Sequence, residues 1–282
     1  MDFESIDWEE MWRQDHARSP WKAETSSKEH WDRRAARFNK GVIPQDEAPK
    51  GDKAGYILQM LERIRVRPDW TVLDIGCGPG TLAIPLAYKA KGVTGLDVSS
   101  EMLTYLRQNA EQCGLSNVQC VNARWQDALS GDQLEAHDVV IASRSLIGAE
   151  IKDALRTIDG LARHAVYITL PVMPQSFDWE VYEAIGRPVK RHPRYIYVLN
   201  MLYQMDIRAN LELLQCRSEL EFASVEDVIE RMSWRTDPFS DEELLKLRSF
   251  LADIFASHPG PPFLREGRST WALIWWEKGE ER

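Results

Sequence analysis

Apolar residues recur along this chain with two periods, and the switching between them marks a rhythm of helices and strands. Two helical patterns come first. Trp8 and Trp12 stand four apart, and in HWDRRAARF the residues Trp31, Ala35 and Phe38 recur at i, i+4 and i+7, which places them on one face of a single helix. The stretch GVIPQDEAPKG at 41–51 reads as a linker. After it, Tyr56, Ile57, Met60, Leu61 and Ile64 share a helix face that ends before Pro68. TVLDI, VTGLDV, VQCVN, HDVVIAS and AVYITL are short apolar runs. Helical patterns separate them, around Leu82, Leu86 and Ala87, around Met102, Leu103 and Leu106, and around Ile151, Leu155 and Ile158. Strands apolar on both faces belong in a parallel sheet covered on both sides.

The tail changes pattern. LELLQCRSELEF and TWALIWWEK read as longer strands flanking two helices, the second opened by a capping box from Ser240 to Glu243, and such a pair can close the sheet antiparallel. The expected architecture is α/β: a Rossmann-like seven-stranded, mostly parallel sheet with an antiparallel closing hairpin, helices on both faces and an N-terminal helical cap. Residues 1–50 form the head, and residues 51–282 form a core carrying an insertion at about 176–206. That insertion is rich in aromatics. Trp179 and Tyr182 sit three apart, and Tyr195, Leu199, Leu202 and Asp206 keep helical spacing, which predicts two helices over the carboxyl edge of the sheet.

Composition narrows the partners. With 282 residues and 44% hydrophobic content the chain can bury a sizeable core, and a net charge of -9 repels a polyphosphate backbone, so neither nucleic acid nor membrane is expected as a partner. The acidic start MDFESIDWEE does not resemble a secretory signal, and a cytoplasmic location is expected. Cys77, Cys113, Cys120 and Cys216 form no CxxC pair and the six histidines no metal-ligand pair, so no metal is expected.

The chemistry concentrates in VLDIGCGPGT, where a strand runs directly into Gly76, Gly78 and Gly80 before a helix begins. Without Cβ atoms this backbone can lie against a ligand, and the free amides at the helix start can receive its polar atoms. About 20 residues further on, Asp97 closes the next strand in GLDVSS, where a carboxylate can accept hydrogen bonds from both hydroxyls of a ribose. A dinucleotide enzyme would want GxGxxG, but here the third glycine comes one place early. The charge of Asp74 suits an ammonium better than a pyrophosphate.

VLDIGCGPG followed by GLDVS resembles the first two motifs of class I S-adenosylmethionine-dependent methyltransferases of the small-molecule type, over roughly residues 51–170. The resemblance implies S-adenosyl-L-methionine as cofactor and methyl transfer as the activity. It places Asp74 near the amine, Gly76, Gly78 and Gly80 around the methionine part, Asp97 on the ribose, and Val98 and Met102 beside the adenine. Thr81, Arg124, Trp125 and Ser143 complete the expected cofactor contacts. The chain departs from the pattern after the third strand, where NARWQD lacks the usual acidic residue, leaving Asp127 or backbone atoms to meet the adenine. After the fourth strand no NPPY-like run occurs.

No catalytic base stands out: His192, Arg144 and Tyr195 are the candidates, and Arg144 is open to an anion-anchoring role or a surface ion pair. The acceptor is expected to be a small molecule held between the head and the insertion, met by aromatics such as Trp179, Tyr182, Tyr195 and Tyr203. Arg187, Lys190, Arg191 and Arg194 are expected on a solvated face, with an anionic substrate as the alternative. Trp31 and Phe38 either close over the cofactor or only dock the head. A binding module that keeps the cofactor without turnover, and an RNA or protein methyltransferase, are the alternatives; the oligomeric state is open.

Overall fold

The computed structural model describes residues 3–17, 27–40, 42, 52–124, 127, 134–146, 148, 150–173, 176–189, 193–233, 236–257 and 260–279. Strands β1 (Thr71–Ile75), β2 (Gly92–Asp97), β3 (Val118–Asn122), β4 (His137–Ser143) and β5 (Ala162–Met173) run parallel. A hairpin of β6 (Asn210–Phe222) and β7 (Phe263–Glu277) closes the sheet, with β7 antiparallel to β5 and the order β3-β2-β1-β4-β5-β7-β6. The expected seven-stranded Rossmann-like fold is what the chain adopts. From β1 the chain progresses outward to β2 and β3, then returns to the other side of β1 as β4. The carboxyl ends of β1 and β4 therefore form the crevice where open parallel sheets bind ligands.

The alternation of β1 decides which side chains reach that crevice. Leu73 and Ile75 point into one core, together with residues of α1 (Trp8–Ala17), α7 (Ile151–Leu161) and α9 (Arg194–Gln204). Val72 points into the other, against α4 (Asp52–Arg63), α5 (Ala83–Ala87) and α6 (Ser100–Gln112). Asp74 shares the Val72 side, so a carboxylate emerges at the strand's end on the face roofed by α4 and α6. A satellite core lies at the far end of the hairpin, where α8 (Ser176–Ile185), α10 (Val225–Ser233) and α11 (Asp241–Ala256) bury Phe177, Val181, Val228, Leu247 and Leu251. The capping box of Ser240 and Glu243 opens α11.

Two details depart from the sequence reading. The helix through Trp31, Ala35 and Phe38 is broken at Arg33 and Arg34 into α2 (Lys28–Asp32) and α3 (Ala35–Asn39), and Asp32 at the end of α2 accepts from Ser99 Oγ at 2.6 Å at the start of α6. Trp31 and Phe38 still meet edge to face at 5.9 Å. The two helices of the aromatic insertion also separate: α8 joins the satellite core, whereas α9 lies on a sheet face and receives α1. There Arg194 pairs with Asp15 at 3.1 Å, and Trp8 packs near Tyr197. Arg187 chelates Glu243 of α11 at 2.6 Å. These two arginines of the expected solvated run are thus docking ties, and Lys190 and Arg191 lie outside the described residues.

Candidate active site

The turn after β1 is fixed by its backbone. The amides of Gly76 and Cys77 both donate to the carbonyl of Leu96 on β2, at 2.7 and 3.1 Å. Gly76, with φ 71°, lies so close to the turn after β4 that a Cβ would stand 2.3 Å from Ser145 Cβ. Gly78, with φ 53°, has only Met102 Sδ within 4 Å of such a Cβ, at 3.9 Å, and its open side borders the cavity. Gly80 serves packing instead: a Cβ there would meet Leu106 Cδ1 at 2.5 Å and Ile84 Cγ1 at 2.9 Å. The three glycines of one motif therefore have three different jobs.

Asp97 closes the second side. Its Oδ2 accepts from Gly78 N and its Oδ1 from Ser99 N, both at 2.9 Å, which ties the glycine turn to the start of α6. Burial raises its pKa above the usual carboxylate value even though those amides oppose the shift. Asp74 is 2% exposed, and burial followed by repulsion from Asp97 pushes its pKa up to about 7. Two carboxylates in one poorly solvated wall favour a ligand that brings positive charge.

The cavity holds about 250 Å³. Its wall carries Asp74, Gly76, Gly78, Thr81, Asp97, Val98, Met102, Arg124, Ser143 and Arg144 of the sequence-derived candidates, with Trp31 and Phe38 above them. Gly80 stands behind the wall. Trp125 and His192 lie outside the described residues. Tyr195 is packed against the core beneath α9, and neither it nor Trp179, Tyr182 or Tyr203 is on the wall. Asp127 is also absent from it, and the Asn122 side chain instead donates to the Asp97 and Val98 carbonyls, both at 3.0 Å.

Ser145, which follows Ser143 and Arg144 at the end of the fourth strand, is on the wall as its position in the sequence suggests, and sequence reasoning missed Tyr56 and Cys77 there. Tyr56 sits on the apolar stripe of α4 and so reads as core. Only the hydroxyl, which reaches Ser143 Oγ and Thr169 Oγ1 at 2.7 Å each, distinguishes it from a Phe.

Residues 72–165 match the family described as methyltransferase domain. A Haemophilus influenzae protein described only as uncharacterized is 34% identical over 247 residues, spanning 87% of this chain and 88% of the relative. A probable cobalt-precorrin-6B C(15)-methyltransferase of Methanobrevibacter smithii is 32% identical over 114 residues, 40% of this chain and 59% of the relative. The chain belongs to the class I S-adenosylmethionine-dependent methyltransferases. The methyltransferase is an enzyme, and its cofactor is S-adenosylmethionine. Among solved structures, a putative methyltransferase from Bacillus halodurans superposes with a TM-score of 0.50 at 19% identity, covering 79% of this chain and 98% of that one, a likeness of fold. Among the described residues of this methyltransferase no helix is long and apolar enough to cross a membrane.

Proposed function

We propose that this methyltransferase acts on a small molecule enclosed with S-adenosylmethionine in the cavity at the carboxyl ends of β1, β2 and β4. The observation that carries this reading is that two buried carboxylates, Asp74 and Asp97, and the aromatic rings of Trp31 and Phe38 line the same cavity. A concave cavity of about 250 Å³ suits a compact acceptor, and the net charge of -9 disfavours a long polyanion.

The residues fit the cofactor chemically. Asp74 would hold the ammonium of the methionine part, which restores the charge that burial opposes. Gly76 and Gly78 would receive the methionine chain where the backbone is bare. Asp97 would take the ribose hydroxyls, with Val98 and Met102 against the adenine. Bound there, the cofactor supplies a methyl group on a positively charged sulfur, poised for attack by an acceptor lone pair. The protein's task is to align that lone pair, and the roof's task is to exclude water that would solvate it.

Calorimetry with S-adenosylhomocysteine and NAD, and transfer of labelled methyl to metabolite fractions, test the proposal. Preference for S-adenosylhomocysteine and label in a low-molecular-weight product are expected. Intact cofactor retained without turnover would indicate a binding module, and label in RNA or protein alone would overturn the small-molecule acceptor.

A further inference from the structure

Tyr56, on α4, carries a buried hydroxyl at the cavity wall, and it bonds to Ser143 Oγ on β4 and to Thr169 Oγ1 on β5, each at 2.7 Å. Three hydroxyls from three elements thus form one chain. Its inner end is anchored by backbone: Arg144, turned to φ 59° past the end of β4, donates its amide to Thr169 Oγ1 at 3.0 Å. The polarity of the chain follows from counting hydrogens, because each hydroxyl has one to give. Thr169 is fully buried, and among the described residues its hydrogen has one acceptor, the Tyr56 oxygen. Any other direction would leave a buried donor unsatisfied. With that oxygen accepting from Thr169, the Tyr56 hydrogen goes to Ser143 Oγ. Burial raises the pKa of the Tyr56 hydroxyl, and the charge of Arg144 and the bonds to its neighbours only partly oppose the rise, so the hydroxyl stays protonated. Donation therefore runs outward, from the amide to Thr169 to Tyr56 to Ser143, and the Ser143 hydrogen is left for the cavity.

A chain of this polarity orients a ligand and carries no proton away from it. Its inner end is an amide that already donates, so a proton accepted at Ser143 would have no outlet. Each link polarises the next, which strengthens the outermost donor. The partner for that donor follows from the neighbouring strand. Asp74 of β1 pairs with Ile141 of β4, two residues before Ser143. An amino acid carries its ammonium and its carboxylate on one carbon, so an ammonium held by Asp74 puts the carboxylate beside an adjacent strand end. On the β2 side stands Asp97, which repels it, and on the β4 side stands the Ser143 donor. We propose that Thr169, Tyr56 and Ser143 form a positioning device for the cofactor, in which the Ser143 hydroxyl donates to the carboxylate of the methionine part and so helps to set where the methyl group lies. This rests on the reading of the cavity as the S-adenosylmethionine site with Asp74 at the ammonium.

The test uses the full chain, titrated by calorimetry with S-adenosylhomocysteine and with its decarboxylated analogue, which keeps the ammonium and lacks the carboxylate. Tyr56→Phe and Ser143→Ala are each expected to weaken S-adenosylhomocysteine by about fivefold to tenfold and to leave the analogue within about twofold. The double variant should bind no more weakly than Ser143→Ala alone, because the two hydroxyls act in series. Losses that multiply in the double variant overturn the proposal, as does an analogue weakened as much as S-adenosylhomocysteine. Unchanged S-adenosylhomocysteine affinity in Ser143→Ala also overturns it, and a fall in methyl transfer in that same variant would give the hydroxyl to the acceptor instead. Should Tyr56→Phe fail to fold, Thr169→Val takes its place, with the same loss expected for S-adenosylhomocysteine alone, and Ser143→Ala still decides the carboxylate contact. Wild-type protein that binds neither ligand overturns the cofactor reading, whereas wild-type protein that binds both, with variants that match it, overturns only the hydroxyl chain.

Discussion

The glycine turn and the aromatic roof line one cavity, yet they are held in place by different physics. The turn is locked sterically: Gly76 touches Ser145, Gly80 touches Leu106 and Ile84, and two amides share one carbonyl of the neighbouring strand. The roof is latched by polar bonds. Asp32 accepts from Ser99 Oγ at 2.6 Å and from Glu101 N at 3.3 Å, and Asn109 donates to Asn39 at 2.7 Å. A steric lock cannot open without unpacking the core, whereas exchanging a few hydrogen bonds for water costs about 1 kcal/mol each. The expectation is therefore that the same cavity pairs a rigid wall with a roof that opens more readily.

The largest effect should follow from breaking the lock. Gly80→Ala would force a methyl group against Leu106 and Ile84 in a backbone of φ 97°, and a stability loss of about 2–4 kcal/mol is expected in thermal or denaturant unfolding. Gly78→Ala has room for its methyl group and should lose only about 1–2 kcal/mol, while impairing the cofactor more because it protrudes beside the cavity. Equal losses of stability in the two variants would remove the distinction between packing and cradle glycines.

Next in size is the proposed contact between Asp97 and the ribose. Asp97→Ala should weaken S-adenosylhomocysteine binding by about 1.5–3 kcal/mol in calorimetry, the loss expected for charge-assisted hydrogen bonds to a ribose. Unchanged affinity in a folded variant would sink the ribose assignment.

The wall was legible in the sequence because its determinants are local. Gly76, Gly78 and Asp97 sit at fixed spacings on one strand-turn-helix-strand unit, and backbone conformation dictates residue type there. Gly80 shows the limit of that legibility, since a positive φ and a cavity wall leave the same mark on a sequence. Tyr56 was not legible as a site residue, because its place beside Arg144 depends on how α4 packs on the sheet, far from β4 in the chain. The insertion aromatics misled for a related reason: their helical spacing does not say which surface they meet, and Tyr195 is half-buried against the core that α9 covers.

A pH titration sharpens the role of the wall. Asp74 titrates near 7 in the folded protein because it is buried and then because Asp97 repels it, against a normal value of 3.8. A cationic amine prefers the ionised form, so binding should release a proton below pH 7 and affinity should fall as pH falls, by up to about tenfold per unit. Without ligand the sign reverses. The folded state keeps a proton that the unfolded chain gives up near pH 4, so this group's stabilisation is present in acid and is lost as pH rises towards about 7. Asp74→Asn should flatten both profiles. A wild-type affinity independent of pH between 5.5 and 8 would detach Asp74 from the ammonium.

The smallest effect, and the one that decides whether the roof moves, is expected for Asp32→Ala. Asp32 holds α2 against the start of α6 through Ser99, whose Oγ also accepts from Met102 N at 3.1 Å to cap that helix and whose amide meets Asp97. Removing the carboxylate cuts the tie between roof and wall but leaves Ser99 able to cap α6, so global stability should fall by only about 1 kcal/mol. Hydrogen exchange at residues 28–39 should rise, because those amides would open locally rather than with the core. Cofactor binding should restore part of that protection, since Trp31 and Phe38 would regain a surface to close on. Affinity for S-adenosylhomocysteine should weaken only about threefold to fivefold, the cost of one lost latch, against the larger loss in Asp97→Ala. If Asp32→Ala instead destabilised the whole fold as much as Gly80→Ala, or if residues 28–39 exchanged equally with and without cofactor, the roof would be a fixed part of the core.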